Sequence, residues 1–401
     1  MNKKKDFIFD VIKNLIAFGI YIFAMQILFL PFMSRFLDDS VNASLLTFMV
    51  IFNLLTASLG QELAIAFQIN MGKEIDSDNL KDFKWLLVAS NILIFVVTCV
   101  VLGVLKYGIV TILALGLVSV LTNNRFYYFG HFRRNKEFQL ITYSNVWYFA
   151  GMLIGLAFCY FVSMTYWVPL LLAEIFANIA TYFKLKDVYF IKAERTPKFK
   201  RTLKEYWDLG FSTLLTNVPQ YADKLLVLPL LGERNMAVYY AGTTLSKILF
   251  LLVNPINGVL LSWLASSTST NPRAMVNKYI KFNVVLVVGI FIVSIPFTYV
   301  SSWILYNHFL IEITELIIPI SLASAFLIGV SLLRVMFLNY FQTRYITIIN
   351  TINIVGFLVF GTLGAKYYGM LGFAYGLAIS RLIHWADYIL FMVFSKMRKI
   401  D

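Results

Sequence analysis

Seven ionisable side chains lie inside long apolar stretches of this chain: Glu62, Glu174, Asp223, Lys224, Lys247, Arg381 and Asp387. Each would cost roughly 2.5–3.5 kcal/mol if it faced hydrocarbon at the centre of a bilayer. Side chains that costly must face one another or a wet cavity. Lys224, Lys247 and Arg381 suit an anionic ligand, because lysine offers a point charge and arginine a planar fork that matches phosphate. The acids Glu62, Glu174, Asp223 and Asp387 fit two roles. They could hold those cations in structural ion pairs, or bind a proton or sodium ion. Helical spacing adds polar neighbours: Asn217, Gln220 and Tyr221 group with Thr213 and Lys224, and Tyr240, Thr244 and Asn254 form a stripe with Lys247. Ser380, His384 and Asp387 align beside Arg381, an arrangement that fits either a proton relay or a satisfied buried histidine. Asp223 and Lys224 are adjacent and so point about 100° apart on a helix. They are not expected to neutralise each other, and one needs a partner on another helix. Glu62 falls near a span end, where it could simply be solvated.

No catalytic constellation accompanies these charges. The chain has no glycine-rich phosphate loop and no paired cysteine ligands. Cys99 and Cys159 both sit in apolar runs, and three histidines are too few for a metal cluster without carboxylates. No catalytic residue, no metal and no cofactor is expected, and ATP hydrolysis is excluded as the energy source. Lys3, Lys4 and Lys5 precede an apolar run too long for a removable signal, and no small-residue cleavage site follows.

The elements that position these residues follow from composition. Of 401 residues, 60% are hydrophobic and 14% charged, whereas a soluble domain carries about 25% charged residues. This excludes a soluble enzyme, a disordered chain and a nucleic-acid-binding module; the main solvent is lipid. A membrane-spanning helix needs about 20 apolar residues. Such runs fall near 12–33, 43–68, 85–105, 108–123, 140–163, 166–186, 206–230, 236–265, 282–304, 310–333, 346–365 and 370–395. The reading is an all-α integral membrane protein of about twelve transmembrane helices. With both termini cytoplasmic, most of the 34 basic residues fall inside, Arg125, Arg133 and Arg134 among them. Only Arg35, Lys106, Arg234 and Lys366 fall outside, as the positive-inside rule requires. The net charge of +13 then reflects topology and contact with anionic lipid rather than a nucleic-acid partner.

The longest cytoplasmic loop, 187–205, falls at the middle of the chain. It divides an N-terminal six-helix bundle, 1–186, from a C-terminal one, 206–401. Leu30-Pro31 matches Leu228-Pro229, and Lys136 to Asn145 matches Arg344 to Asn353 with the same spacing. Two pseudo-symmetric bundles around a central cavity are the architecture of an alternating-access transporter. Pro31, Pro169, Pro219, Pro229, Pro255, Pro296 and Pro319 lie within spans, where proline bends a helix. Pro219 and Pro229 bracket Asp223 and Lys224.

Several stretches resemble one family. They are Tyr221-Ala-Asp223-Lys224, then Gly232, then Ala237-Val238-Tyr239-Tyr240-Ala241-Gly242; Pro31…Arg35-Phe-Leu37; and Arg133-Arg134-Asn135…Phe138…Asn145. Together they look like the Wzx-type flippases of O-antigen and capsule repeat units, in the multidrug/oligosaccharidyl-lipid/polysaccharide exporter superfamily. Asp38 and Val238 stand where members of that family often carry glycine. The resemblance implies a flippase that moves undecaprenyl-diphosphate-linked oligosaccharide across the bacterial cytoplasmic (inner) membrane for surface polysaccharide biosynthesis. It would work as a monomer, with polysaccharide polymerase and assembly proteins as partners. A cation-coupled multidrug exporter of the same superfamily is the alternative. A membrane polysaccharide polymerase or ligase is a more distant one, since it would need a large external loop.

Overall fold

The computed structural model describes residues 3–70, 77–243, 272–341 and 344–394. Every element among them is helical, as a chain in lipid requires. With no water in the hydrocarbon, a helix satisfies its backbone groups within one segment. The protein is an all-α integral membrane protein. It divides into two compact units, Met1–Tyr221 and Ala222–Asp401.

The first unit begins with α1 (Lys3–Ile22), a π-helical stretch (Phe23–Phe29) and α2 (Leu30–Phe36). Then follow α3 (Asp39–Leu55), a second π-helical stretch (Thr56–Gln61) and α4 (Glu62–Asn70). The rest is α5 (Ser77–Val104), α6 (Ile109–Arg134), α7 (Phe138–Phe161), α8 (Trp167–Lys184), the short α9 (Lys186–Tyr189) and the start of α10 (Phe199–Leu231). Lys106, where the sequence suggests a split, adopts φ 62 in the turn between α5 and α6. The second unit holds the end of α10 and α11, described over 233–243. It continues with α12 (Pro272–Leu305), α13 (Leu310–Tyr340) and α14 (Arg344–Phe394). The helix α14 is two arms joined at Tyr368 and Gly369. Gly369 takes φ 59, ψ −140, which glycine adopts without a Cβ clash.

Eight stretches among the described residues are long and apolar enough to cross a membrane. One of them, Ile348–Phe394, contains both arms of α14 and so covers two expected spans. The helices α8 and α10 match two more by position. The expected span at 236–265 lies mostly outside the described residues. The lipid-facing surface is apolar: on α12, Val285, Val288, Ile292, Val293 and Trp303 are all more than half exposed.

Several helices run past the expected spans, α1, α5, α12 and α13 among them, and two further boundaries change the reading. The fourth span does not end near 123 but continues to Arg134, so Arg125 lies within a helix and is not a cytoplasmic loop residue. The seventh helix starts at Phe199 rather than 206, which shortens the linker. What remains of the linker is strapped to α5. Thr196 donates through its backbone N and its Oγ1 to buried Asp82, at 2.7 and 2.8 Å. The Arg195 guanidinium lies 3.9 Å from the Trp85 ring centroid. Beside them Lys192 and Lys81 hold the exposed Glu194 carboxyl below the usual carboxylate range.

The closest helix pair in the first unit is α7 with α8, and glycine makes it so. A Cβ at Gly151 would lie 2.6 Å from the Leu172 carbonyl oxygen, and one at Gly155 would overlap Pro169. Small residues at this spacing let backbones approach in membranes. Pro169 stands in the first turn of α8, where its missing N–H leaves no helical bond unmade. Gly155→Leu should therefore lower the unfolding temperature in detergent, since overpacking costs about 1–3 kcal/mol. Gly289→Leu, on α12 with nothing within 4 Å, should leave it unchanged; equal effects of the two would refute this packing.

Candidate functional site

The first unit is organised around Arg125, which is 0% exposed. Its Nε donates to Glu174 Oε2 at 2.9 Å and its Nη2 to Oε1 at 2.8 Å, a bidentate pair between α6 and α8. Its Nη1 donates to Asn145 Oδ1 on α7 at 2.9 Å. Asn145 Nδ2 in turn donates to the Ala17 carbonyl of α1 at 2.8 Å. Thr122 Oγ1 donates to Glu174 Oε1 at 2.8 Å. The guanidinium also lies 4.7 Å from the Tyr148 ring centroid and 5.0 Å from that of Tyr21. One residue thus ties four helices together. The sequence reading missed it by ending the span at 123. The apolar aromatic run Phe126-Tyr127-Tyr128-Phe129 that follows is the signal for a span continuing past Arg125.

Glu62 sits at the first position of α4, directly after the π-helical stretch, and is buried rather than solvated. It accepts from Thr213 Oγ1 at 2.9 Å. The same face of α10 places Gly210 against the Ser58 carbonyl and the Tyr206 hydroxyl 3.3 Å from the Leu59 carbonyl. A π-helical turn disrupts the regular i−4 ladder, and here Tyr206 supplies a donor to one of its carbonyls. Tyr221 is half-buried and within electrostatic reach of Tyr21.

In the second unit Lys224 and Asp223 do pair, against expectation. The Lys224 Nζ donates to both carboxylate oxygens, at 3.1 and 3.2 Å, and its backbone N donates to Oδ1 at 2.9 Å. The flexible four-carbon lysine stem covers the angular gap that the helix imposes. The expected partner on another helix is also present: Tyr239 OH of α11 donates to Asp223 Oδ2 at 3.2 Å, and Arg381 of α14 interacts with Asp223 electrostatically. Lys224 is 1% exposed and Arg381 5%. The ammonium lies 5.8 and 5.9 Å from the Tyr239 and Tyr240 ring centroids. Lys224, Asp223 and Arg381 together carry one net positive charge.

The remaining polar residues of α14 join its two arms. Ser380 Oγ donates to the Asn353 carbonyl at 3.3 Å, and His384 Nε2 meets Asn350 Oδ1 at 3.3 Å. The structure makes no bond between His384 and Asp387. Asp387 Oδ2 and His384 Nδ1 are both buried without a hydrogen-bond partner among the described residues. Lys247, Thr244 and Asn254 lie outside the described residues, as do the side chains of Asn217 and Gln220. Among the described residues no group of histidine, cysteine and acidic side chains could hold a metal ion.

With the geometry established, solved structures supply the comparison. A multidrug resistance MATE family transporter of the MOP superfamily, inward-facing, superposes with TM-score 0.68 at 12% identity, over 95% of this chain and 97% of its own. An outward-facing one gives 0.66 at 14%, over 98% and 96%. The lipid II flippase MurJ, inward closed, gives 0.66 at 15%, over 98% and 87%. The chain has the fold of these transporters. No family model and no curated protein matches the sequence. The match covers residues of both units.

The Arg125–Glu174 pair predicts a specific pattern of stability. Removing one partner of a buried pair costs about 3–5 kcal/mol, because the other is left uncompensated. Arg125→Met and Glu174→Leu should each sharply lower the unfolding temperature, and the double variant should recover much of the loss. A double variant as unstable as the sum of the singles would show that the pair is not a closed unit.

Proposed function

We propose that this protein is a flippase that moves a polyprenyl-diphosphate-linked oligosaccharide across the bacterial cytoplasmic membrane by alternating access, for surface polysaccharide biosynthesis. The observation that carries the proposal is the Lys224–Asp223–Arg381 cluster: two buried cations around one carboxylate. A diphosphate is the ligand such a site suits, because charge-assisted bonds from lysine and arginine to phosphate are the strong ones. The rings of Tyr239 and Tyr240 stand beside the ammonium and are buried in this structure. We further propose Lys247, Thr244, Asn254, Asn217 and Gln220 as ligand-binding residues on the strength of their helical spacing alone.

The orientation in this proposal keeps both termini cytoplasmic, so that substrate is loaded from the basic side. A proton or sodium gradient would supply the energy. Glu62, Glu174, Asp223 and Asp387 are the acids proposed for that coupling, and Asp387 Oδ2 is buried without a hydrogen-bond partner among the described residues.

The test uses purified protein in liposomes with labelled polyprenyl-diphosphate oligosaccharide on one leaflet, and an organic-cation dye alongside. The wild type should move the lipid-linked sugar and not the dye. Arg381→Gln should slow translocation by about 10- to 100-fold, the worth of one charge-assisted bond at roughly 1.5–3 kcal/mol, with Arg381→Lys restoring part of it. Dye efflux without lipid movement would assign the protein to the exporter reading instead.

A further inference from the structure

The two arms of α14 touch backbone to backbone. A Cβ at Gly364 would overlap the Gly372 carbonyl, and one at Gly376 would overlap that of Phe360. Helices this close leave their larger side chains flared to the sides of the seam. Phe360, Leu363, Leu371, Tyr375 and Ile379 form the walls of a groove of about 390 Å³ along it, at the small end of the roughly 300–1,000 Å³ usual for ligand pockets. Leu363, Leu371, Tyr375 and Ile379 are all exposed. They lie within a membrane-spanning stretch, so the groove opens onto hydrocarbon and continues the lipid-facing surface.

The ends of the groove differ. Toward Ile379 it is wholly apolar. Toward the Gly369 turn it is bordered by Tyr367 and Tyr368, both strongly exposed, whose rings place a hydroxyl at an apolar–aqueous boundary. Lys366 is exposed there too, its Nζ 5.7 Å from the Tyr367 ring centroid. Lys366 is one of very few basic residues on the face read as external, where the positive-inside rule disfavours them. A long apolar channel ending in hydroxyls and one cation is complementary to a lipid with a hydrocarbon tail and an anionic head.

We infer that this groove holds the isoprenoid tail of a diphosphate-linked lipid at the outer leaflet, with Lys366 and the Tyr367 and Tyr368 hydroxyls beside its phosphates. The assignment of the lipid class rests on the flippase reading above. A straight acyl chain packs along any smooth helix face; a methyl-branched chain is wider and gains from a walled groove. Such a site lets the tail stay on the protein while the head crosses elsewhere.

The experiment uses the full-length protein in proteoliposomes with a photoreactive polyprenyl diphosphate, and photoreactive phosphatidylglycerol as comparison. Labelled peptides are mapped, and translocation is measured in parallel. Labelling by the prenyl probe should concentrate in 360–379, and unlabelled polyprenyl diphosphate should compete it away while phosphatidylglycerol does not. Leu363→Trp with Ile379→Trp should fill the groove and cut labelling about tenfold, which matches losing the burial of about two methylene groups. Lys366→Gln should weaken labelling by both anionic probes, and more by the prenyl diphosphate, which carries the larger charge. Equal labelling and equal competition by phosphatidylglycerol would overturn the inference and make the groove ordinary boundary-lipid surface. Wild-type translocation with no labelling in 360–379 would reject the groove and keep the flippase. Labelling there without translocation would keep the groove as a lipid site and reject the flippase. The competition arm needs no substitution, so a variant that fails to fold does not blunt the test.

Discussion

A guanidinium buried from all solvent has no water to turn to, and the first unit is built around that constraint. Arg125 satisfies it with a carboxylate in fork-to-fork register, an amide oxygen and two aromatic faces. Because those partners come from α1, α7 and α8, the requirement that one side chain be satisfied fixes the positions of several helices. Such a pair adds little net stability compared with well-packed apolar side chains, since the desolvation of both ions offsets their attraction. Its contribution is geometric: only one arrangement of these helices leaves no charge unanswered.

The second unit handles charge differently. Asp223 is shared by Lys224, Tyr239 and Arg381, so its cations exceed its anions. In a low-dielectric interior such an excess is tolerable only if the positive charges are spread over several groups or are met by an anion that comes and goes. The two units therefore place the same residue types in different service. The first surrounds one guanidinium with partners from three other helices, and the second gathers two cations and a tyrosine hydroxyl around one carboxylate.

The sequence was readable where the physics is one-dimensional. Membrane thickness sets a run length, so the all-α class and the turn at Lys106 follow from local composition. It was harder to read where the answer depends on which helices meet. Arg125 looks like the first residue of a basic cytoplasmic cluster until α8 supplies Glu174. Asp82 and Thr196, far apart in sequence, are an unremarked aspartate and an ordinary threonine until the linker folds back on α5. Asp223 and Lys224 illustrate the reverse error. Helical geometry separates their Cβ directions, but the length of the lysine side chain lets the charges meet regardless.

Glycine does related work at two helix pairs, with different results. Between α7 and α8, Gly151 and Gly155 admit the Leu172 carbonyl and Pro169, and the proline ring and neighbouring side chains fill the seam. Between the arms of α14, glycines stand on both sides, so backbone meets backbone and neither helix supplies a side chain to fill the space beside the contact. A one-sided glycine seam closes a helix pair, whereas a two-sided one closes the backbones and opens a channel along their flank. That the channel ends at a turn bearing Tyr367, Tyr368 and Lys366 follows from where Gly369 lets the chain reverse. The conformational freedom of one glycine thus brings a polar, cationic end to a groove that other glycines make apolar.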